Sequence, residues 1–357
     1  DPNQSGETLE GLIPLVVWDK EEGWKNITRG AKVLPDALNF PFGSQIVYYK
    51  LNDPQYTEIA RGNFNFVVSA GELDENSLWI MSNPEQPYEY DYSRVDSIIS
   101  FAKRNNIQTM LFLHLVESSF RQNDPFWPSW VYDLSPTQLE RVLVERISGT
   151  MTHIRDRYPN GNFIYSVVNE AFDWNRYRGF IYEKLGQQYI TVAFSAARQI
   201  DPSAILIYND VNVFHEGRID DHDRAVMNLI RSLNQRGLID GVGLQMHLDA
   251  TRIPSSDTFR QLIRAYRETG AKRVYVTEFD IDFSNFRGEE TEKQALKVRA
   301  YGEMLRVALE ENIDGFAMFG FTGAAAWHPD GLIFDQIYRP EAAYYAVISE
   351  LLRYAQN

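Results

Sequence analysis

Two glutamates stand directly after runs of strand-forming residues: Glu170 in Val167-Val168-Asn169-Glu170-Ala171 and Glu278 in Tyr275-Val276-Thr277-Glu278-Phe279-Asp280. β-branched and aromatic residues favour strands, so each carboxyl group falls at a strand's carboxyl end. In a parallel barrel that end carries the reactive groups. Two carboxyl groups brought together there can perform double displacement at an acetal carbon, one as nucleophile and one as an acid that later serves as base. Their neighbours suit the same chemistry. Asn169 is a poor strand former ending an apolar run, and its amide can hold a hydroxyl beside the reacting bond. Asp280, two residues past Glu278, is placed to orient that carboxylate through a histidine. For one glutamate at a strand end the plain alternative is a salt-bridged surface group; the pair and its neighbours weaken it.

About a third of the chain separates the two glutamates, so only a closed architecture can join them. Short apolar runs recur at residues 44–49, 64–69, 109–115, 163–168, 205–208, 241–246, 273–277 and 315–319. Between them apolar residues repeat at spacings of three and four, as in Val95-Ile98-Ile99-Ala102, Leu139-Val142-Leu143-Ile147-Met151 and Phe259-Leu262-Ile263-Tyr266. Asp91 and Ser135-Pro136 are helix starts and Gly270 is a helix stop. Eight buried-type strands alternating with helices predict an α/β fold, a single (β/α)8 TIM barrel spanning residues 41–357. Residues 1–40 are expected to form a lead-in packed on that barrel.

The bulk properties narrow the function. A formal net charge of −14 repels phosphate backbones and anionic membrane surfaces, which argues against nucleic acid as a partner. No apolar run is long enough to span a membrane. The absence of cysteine rules out disulfides, thiolate metal sites and cysteine nucleophiles. The six histidines form no His-x-His or His-Glu-x-x-His pairing, so no metal is expected, and the chemistry requires no cofactor. Gly241-Val242-Gly243 lacks the third glycine of a dinucleotide fingerprint. Aromatic richness suits a groove that stacks sugar rings, although a large aromatic core accounts for most of these side chains. Acidity and aromatic content fit an exported protein, secreted or periplasmic, whose signal peptide is not visible in this chain.

From about Phe42 to Tyr345 the sequence resembles glycoside hydrolase family 10, the retaining β-1,4-xylanases. The resemblance implies that Glu170 is the acid/base and Glu278 the nucleophile, with Asn169 contacting the sugar beside the cleaved bond. Gly241-Val242-Gly243-Leu244-Gln245-Met246-His247-Leu248 is similar to the family's strand-6 motif and implies site roles for Gln245 and His247. Tyr208-Asn209-Asp210-Val211-Asn212 is similar to its strand-5 end and adds Asn209. His114 falls where the family has its first strand-3 histidine. Leu332-Ile333-Phe334-Asp335 and Pro340-Glu341-Ala342-Ala343-Tyr344-Tyr345 resemble its closing segment. On this basis His247 and Asp280 keep Glu278 ionised and aimed, His114 and Asn169 bind hydroxyls of the reacting sugar, and the charge of Glu278 raises the proton affinity of Glu170.

Several strings depart from the family's pattern. Where it carries Glu-Asn-Glu-x-Lys-Trp after strand 2, this chain has Ala70-Gly71-Glu72-Leu73-Asp74, which keeps Glu72 as a sugar-binding candidate and lacks the Asn and Lys. His114-Leu115-Val116-Glu117-Ser118-Ser119 lacks the second strand-3 histidine. Phe319 replaces a tryptophan, and Gly323-Ala324-Ala325-Ala326 replaces a more polar loop, while Trp327 is kept. The aromatic candidates for stacking are Trp327 and Phe319, then Trp174 and Trp127, for which plain packing is the stronger reading. The expected function is therefore retaining hydrolysis of a β-1,4-linked xylose-type polysaccharide or oligosaccharide. The alternatives are a retaining β-glycosidase for another or decorated glycan or an aryl glycoside, and a non-catalytic carbohydrate-binding barrel.

Overall fold

The computed structural model describes residues 32–70, 90–122, 127–173, 176–211 and 218–356. Eight strands form the central sheet: β1 Phe42–Gln45, β2 Phe66–Ser69, β3 Thr109–Phe112, β4 Asn162–Asn169, β5 Ile205–Asp210, β6 Gly241–Leu244, β7 Arg273–Asp282 and β8 Gly315–Met318. Each pairs in parallel with the next, and β8 pairs with both β7 and β1, so the sheet closes into a (β/α)8 barrel.

Alternation along the strands builds two cores. Phe66, Val68, Leu111, Ile164, Ile207 and Tyr275 pack together in one cluster, the barrel interior. Their sequence neighbours Val67, Met110, Phe112, Tyr165 and Leu206 belong to the larger cluster shared with the helices. The helices present the expected apolar stripes. In Ser256–Arg267 the residues Phe259, Leu262, Ile263 and Tyr266 are buried, each contributing roughly 1.5–3 kcal/mol of apolar burial. Ser135 caps Pro136–Arg157 in a reciprocal capping box with Gln138. Asp91 accepts a hydrogen bond from the Ser93 backbone N–H (2.8 Å) at the start of Ser93–Arg104. Gly270 has a φ of +91° three residues past Arg267.

The strand expectations hold in number and order, while every strand shifts by one to five residues at one edge or both. β1 begins two residues early and gives way to a 3-10 turn at Tyr48–Lys50. A Cβ on Gly43 would stand 1.8 Å from the Phe66 carbonyl oxygen, so a glycine, a weak strand signal, is needed where these backbones approach. β5 runs to Asp210, and β7 runs to Asp282, beyond the apolar pattern, because its polar end pairs with a short strand at His247–Asp249. Before the barrel, the helix Val33–Leu38 buries Leu34 in the core.

Candidate active site

Glu170 follows an irregularity in its strand and Glu278 lies within one. Between Ser166 and Val168 the β4–β5 register shifts, and between Val276 and Phe279 the β7–β8 register shifts. Such bulges re-aim the side chains that follow. Beyond the strand ends, three non-glycine residues take left-handed backbone: His114 (φ 64°), Glu170 (φ 49°) and Met246 (φ 60°). Each costs on the order of 1–3 kcal/mol and persists only where surrounding contacts impose it. For Glu170 one such contact is its N–H bond to the Asn209 carbonyl, 3.0 Å.

One hydrogen-bonded frame then joins the two carboxyl groups. Gln245 Nε2 donates to Glu170 Oε1 (3.0 Å) and to Asn169 Oδ1 (3.3 Å). Asn209 Nδ2 donates to the same Asn169 oxygen (2.9 Å) and to Glu278 Oε1 (2.6 Å), while its own oxygen accepts from Thr277 Oγ1 (2.7 Å). The frame leaves no room beneath Asn209: a Cβ at Gly243 would lie 2.2 Å from Asn209 Oδ1. Asn169, Asn209 and Gln245 are all buried, so these bonds are not shared with bulk water.

On the far side of Glu278, His247 Nε2 lies 3.4 Å from Oε2 and His247 Nδ1 donates to Asp280 Oδ1 at 2.8 Å. His247 and Asp280 are direct partners in the parallel pairing that extends β7, which explains their contact. Burial opposes charge on this imidazole, but Asp280 and Glu278 outweigh it and hold its pKa up at about 10. At neutral pH His247 is thus an imidazolium between two carboxylates.

Glu170 is in a different environment. Its pKa is pushed up to about 7, first by burial and then by the charge of Glu117, with Asp210 adding to the rise; the Gln245 hydrogen bond and Arg178 pull it back. The expectation that Glu278 supplies the push is corrected here. The Glu278 charge is locally paired with His247 and Asn209, whereas Glu117 is a further buried carboxyl group close to the acid. Arg178 donates from Nη2 to Glu170 Oε2 (2.6 Å) and from Nε to the Glu170 carbonyl (3.1 Å). Sequence reading overlooked both residues. Glu117 carries a visible signal, a charge inside a run of buried-type residues; Arg178, eight residues past Glu170, carries none.

The other candidates fall into three groups. His114 sits beside the frame, with Nε2 3.9 Å from Glu117 Oε2. Phe319 and Trp327 meet the ring of His247, the histidine that faces Glu278, edge-on at 5.2 and 5.1 Å. With Gln45, Val47, Tyr48 and Tyr49 they line a cleft of about 340 Å³ in which none of the described lining residues is charged. Trp327 is 62% exposed, available for stacking, whereas Trp127 is buried edge-on against Phe180 and is a packing residue. Glu72 and the rest of residues 71–74, with Trp174 and Asn212, lie outside the described residues. Among the described residues no group of three or more His, Asp or Glu side chains is arranged to hold a metal ion. No described helix is long and apolar enough to cross a membrane.

A closed parallel barrel with two carboxyl groups on one buried frame at its carboxyl rim defines a barrel glycoside hydrolase. The chain belongs to glycosyl hydrolase family 10, whose model matches residues 33–350. It is 29% identical over 332 residues to endo-1,4-beta-xylanase B of Thermotoga neapolitana, covering 88% of this chain and 90% of that protein. The crystal structure of native xylanase 10B from Thermotoga maritima superposes with a TM-score of 0.80 at 27% identity, covering 92% of this chain and 99% of that one. Xylanase 10B from Thermotoga petrophila RKU-1, solved in complex with xylobiose, superposes with a TM-score of 0.79 at 27% identity, covering 91% and 98%.

Proposed function

We propose that the protein is a retaining endo-β-1,4-xylanase-like hydrolase in which Glu278 is the nucleophile and Glu170 the acid/base. The observation that carries this reading is the division of labour along one frame. Glu278 faces the His247 imidazolium and the Asn209 amide, while Glu170 has its pKa raised to about 7. A carboxyl group raised toward neutral pH, set beside a second one that faces a cation, is the arrangement that acid/base assignment requires.

In the first step Glu278 attacks the anomeric carbon while Glu170 gives its proton to the leaving oxygen, forming a glycosyl ester on Glu278. Glu170, now a carboxylate held by Arg178 and Gln245, takes a proton from water as that water hydrolyses the ester. Asn169 and His114 are read as partners for hydroxyls of the reacting sugar, and Trp327 and Phe319 as a wall for an adjacent ring. Glu72 is carried as a further sugar contact. The same reading treats residues 41–357 as the catalytic barrel and 1–40 as its lead-in, in an exported enzyme acting on polysaccharide or oligosaccharide and not on nucleic acid.

A second specificity is favoured by the aromatic cleft beside His247, whose described lining residues are uncharged. Its described lining sets the rings of Phe319, Trp327, Tyr48 and Tyr49 and the methyl groups of Ala325 and Ala326 against a sugar, with Gln45 and the tyrosine hydroxyls as its polar groups. It suits a glycan or aryl glycoside with an apolar or decorated unit. The test of mechanism is a pair of variants. Glu278→Ala is expected to lose activity on every glycoside. Glu170→Ala is expected to lose activity on substrates with poor leaving groups and to regain turnover of an activated aryl glycoside when azide is added. Wild-type rates in both variants would refute the mechanism. Product analysis on plain xylan, decorated xylans and aryl glycosides separates the two specificities, and glycan binding without hydrolysis would point to a binding barrel.

A further inference from the structure

We propose that Glu117 is a positioning residue of this hydrolytic centre, a buried anion that fixes the facing of the Asn169 amide and sets a third negative charge against Glu170; this rests on the reading of Glu170 as acid/base. Glu117 lies in the loop after β3, three residues beyond His114. Its backbone forms an isolated parallel bridge with Asn169, closed by Asn169 N–H to the Val116 carbonyl (2.9 Å) and Ser118 N–H to the Asn169 carbonyl (3.0 Å). The two side chains therefore arise from paired positions on neighbouring strand ends.

The Glu117 carboxyl group is only 4% exposed, and both its oxygens accept: Oε2 from Asn169 Nδ2 at 2.6 Å, Oε1 from the Ser119 backbone N–H at 2.8 Å. A buried carboxylate persists only where donors compensate it. In return it decides how the amide lies. Asn169 Oδ1 already receives N–H groups from Asn209 and Gln245. Flipping the amide would set its NH2 against those two donors and its oxygen against the Glu117 carboxylate. Because Asn209 also holds Glu278 and Gln245 also holds Glu170, the orientation of Asn169 is passed to both reacting groups.

The charges around the pair come from several elements. Glu170 meets Arg178 from the segment after β4 and the charge of Asp210 from the end of β5. Glu117 meets His114 from its own loop and feels Tyr189 of the helix Gln188–Ile200, whose hydroxyl donates to Ser118 Oγ at 2.8 Å. Arg146 of the helix Pro136–Arg157 donates to the carbonyl of Leu115 in the same loop. Behind burial, Glu117 is the largest influence raising the proton affinity of Glu170.

The test is Glu117→Gln, which keeps the size and removes the charge, assayed as kcat/KM against pH on a xylo-oligosaccharide. The basic limb, where the acid loses its proton, is expected to move to lower pH by about half a unit or more. Glu117→Asp, which keeps the charge and withdraws it from Asn169, is expected to hold the limb near its wild-type position while lowering kcat about tenfold or more. A limb that coincides with wild type in Glu117→Gln, or one that moves equally in both variants, overturns the proposal. Should Glu117→Gln not fold, an unchanged kcat in Glu117→Asp overturns it instead. Glu170→Gln separates this from failure of the underlying reading: if the basic limb survives there, Glu170 is not the acid, whatever Glu117 does.

Discussion

Replacing Arg178 with glutamine should move the proton of Glu170 in the direction opposite to the Glu117 change. Arg178 is the cation on the acid, with Nη2 2.6 Å from Oε2, and both side chains are partly open to solvent, at 26% and 20% exposure. Two unit charges about 4 Å apart interact by roughly 4 kcal/mol at an effective dielectric of about 20. Exposed pairs measure only about 0.2–1 kcal/mol because water screens them. A pair this close but only a fifth to a quarter exposed belongs between those limits, and about 1.5 kcal/mol corresponds to roughly one pKa unit. The sign is set by charge: a cation favours the carboxylate, so its removal favours the acid. The Glu170 pKa, about 7 in the wild type, should rise to about 8 in Arg178→Gln. In kcat/KM profiles on a poor-leaving-group substrate the basic limb should shift up by about that unit. Turnover limited by hydrolysis of the ester should fall, because a more reluctant carboxylate has lost its anchor. An unmoved basic limb, or one shifted downward, would refute the reasoning and reduce Arg178 to a structural tether of the chain after Glu170.

Two further outcomes follow from the frame. Gly243→Ala should reduce kcat about a hundredfold while leaving the barrel folded, because the new methyl group would push Asn209 off Glu278, and displacements of about 1 Å cost that much; circular dichroism with steady-state kinetics checks both halves. Asp280→Asn should lower the His247 pKa from about 10 toward its ordinary value. A raised histidine pKa contributes stability that is fully present below about 6.5 and lost as pH rises through about 10, so wild type should lose more thermal stability than the variant over that window. Melting temperatures from pH 6 to 10.5 measure the difference, and parallel curves would contradict it.

Much of the centre was legible because barrel strands tie position to role. Once the runs ending at Val168 and Thr277 are recognised as strands of one closed sheet, Asn169-Glu170 and Glu278 must emerge on the same rim. Asp280 was legible as an orienter of Glu278 because it lies two residues further along the same strand, and β7 continues as a strand to Asp282. The edges were less legible. β1 starts at Phe42 and not at Ser44 because a close approach of two backbones, felt only in three dimensions, calls for Gly43.

The sequence by itself determined the class of chemistry and the architecture: apolar periodicity sets strands and helices, their count closes the barrel, and the glutamates sit at strand ends. Only the tertiary structure decided how the two carboxyl groups differ. That the acid is raised by burial and Glu117, and not chiefly by Glu278, depends on which groups share a buried frame and which are paired off. Arg178 and Gln245 reach Glu170, and Glu117 reaches the adjoining Asn169, from three separate segments through interactions a few ångströms long, and nothing in the spacing of their letters encodes that convergence.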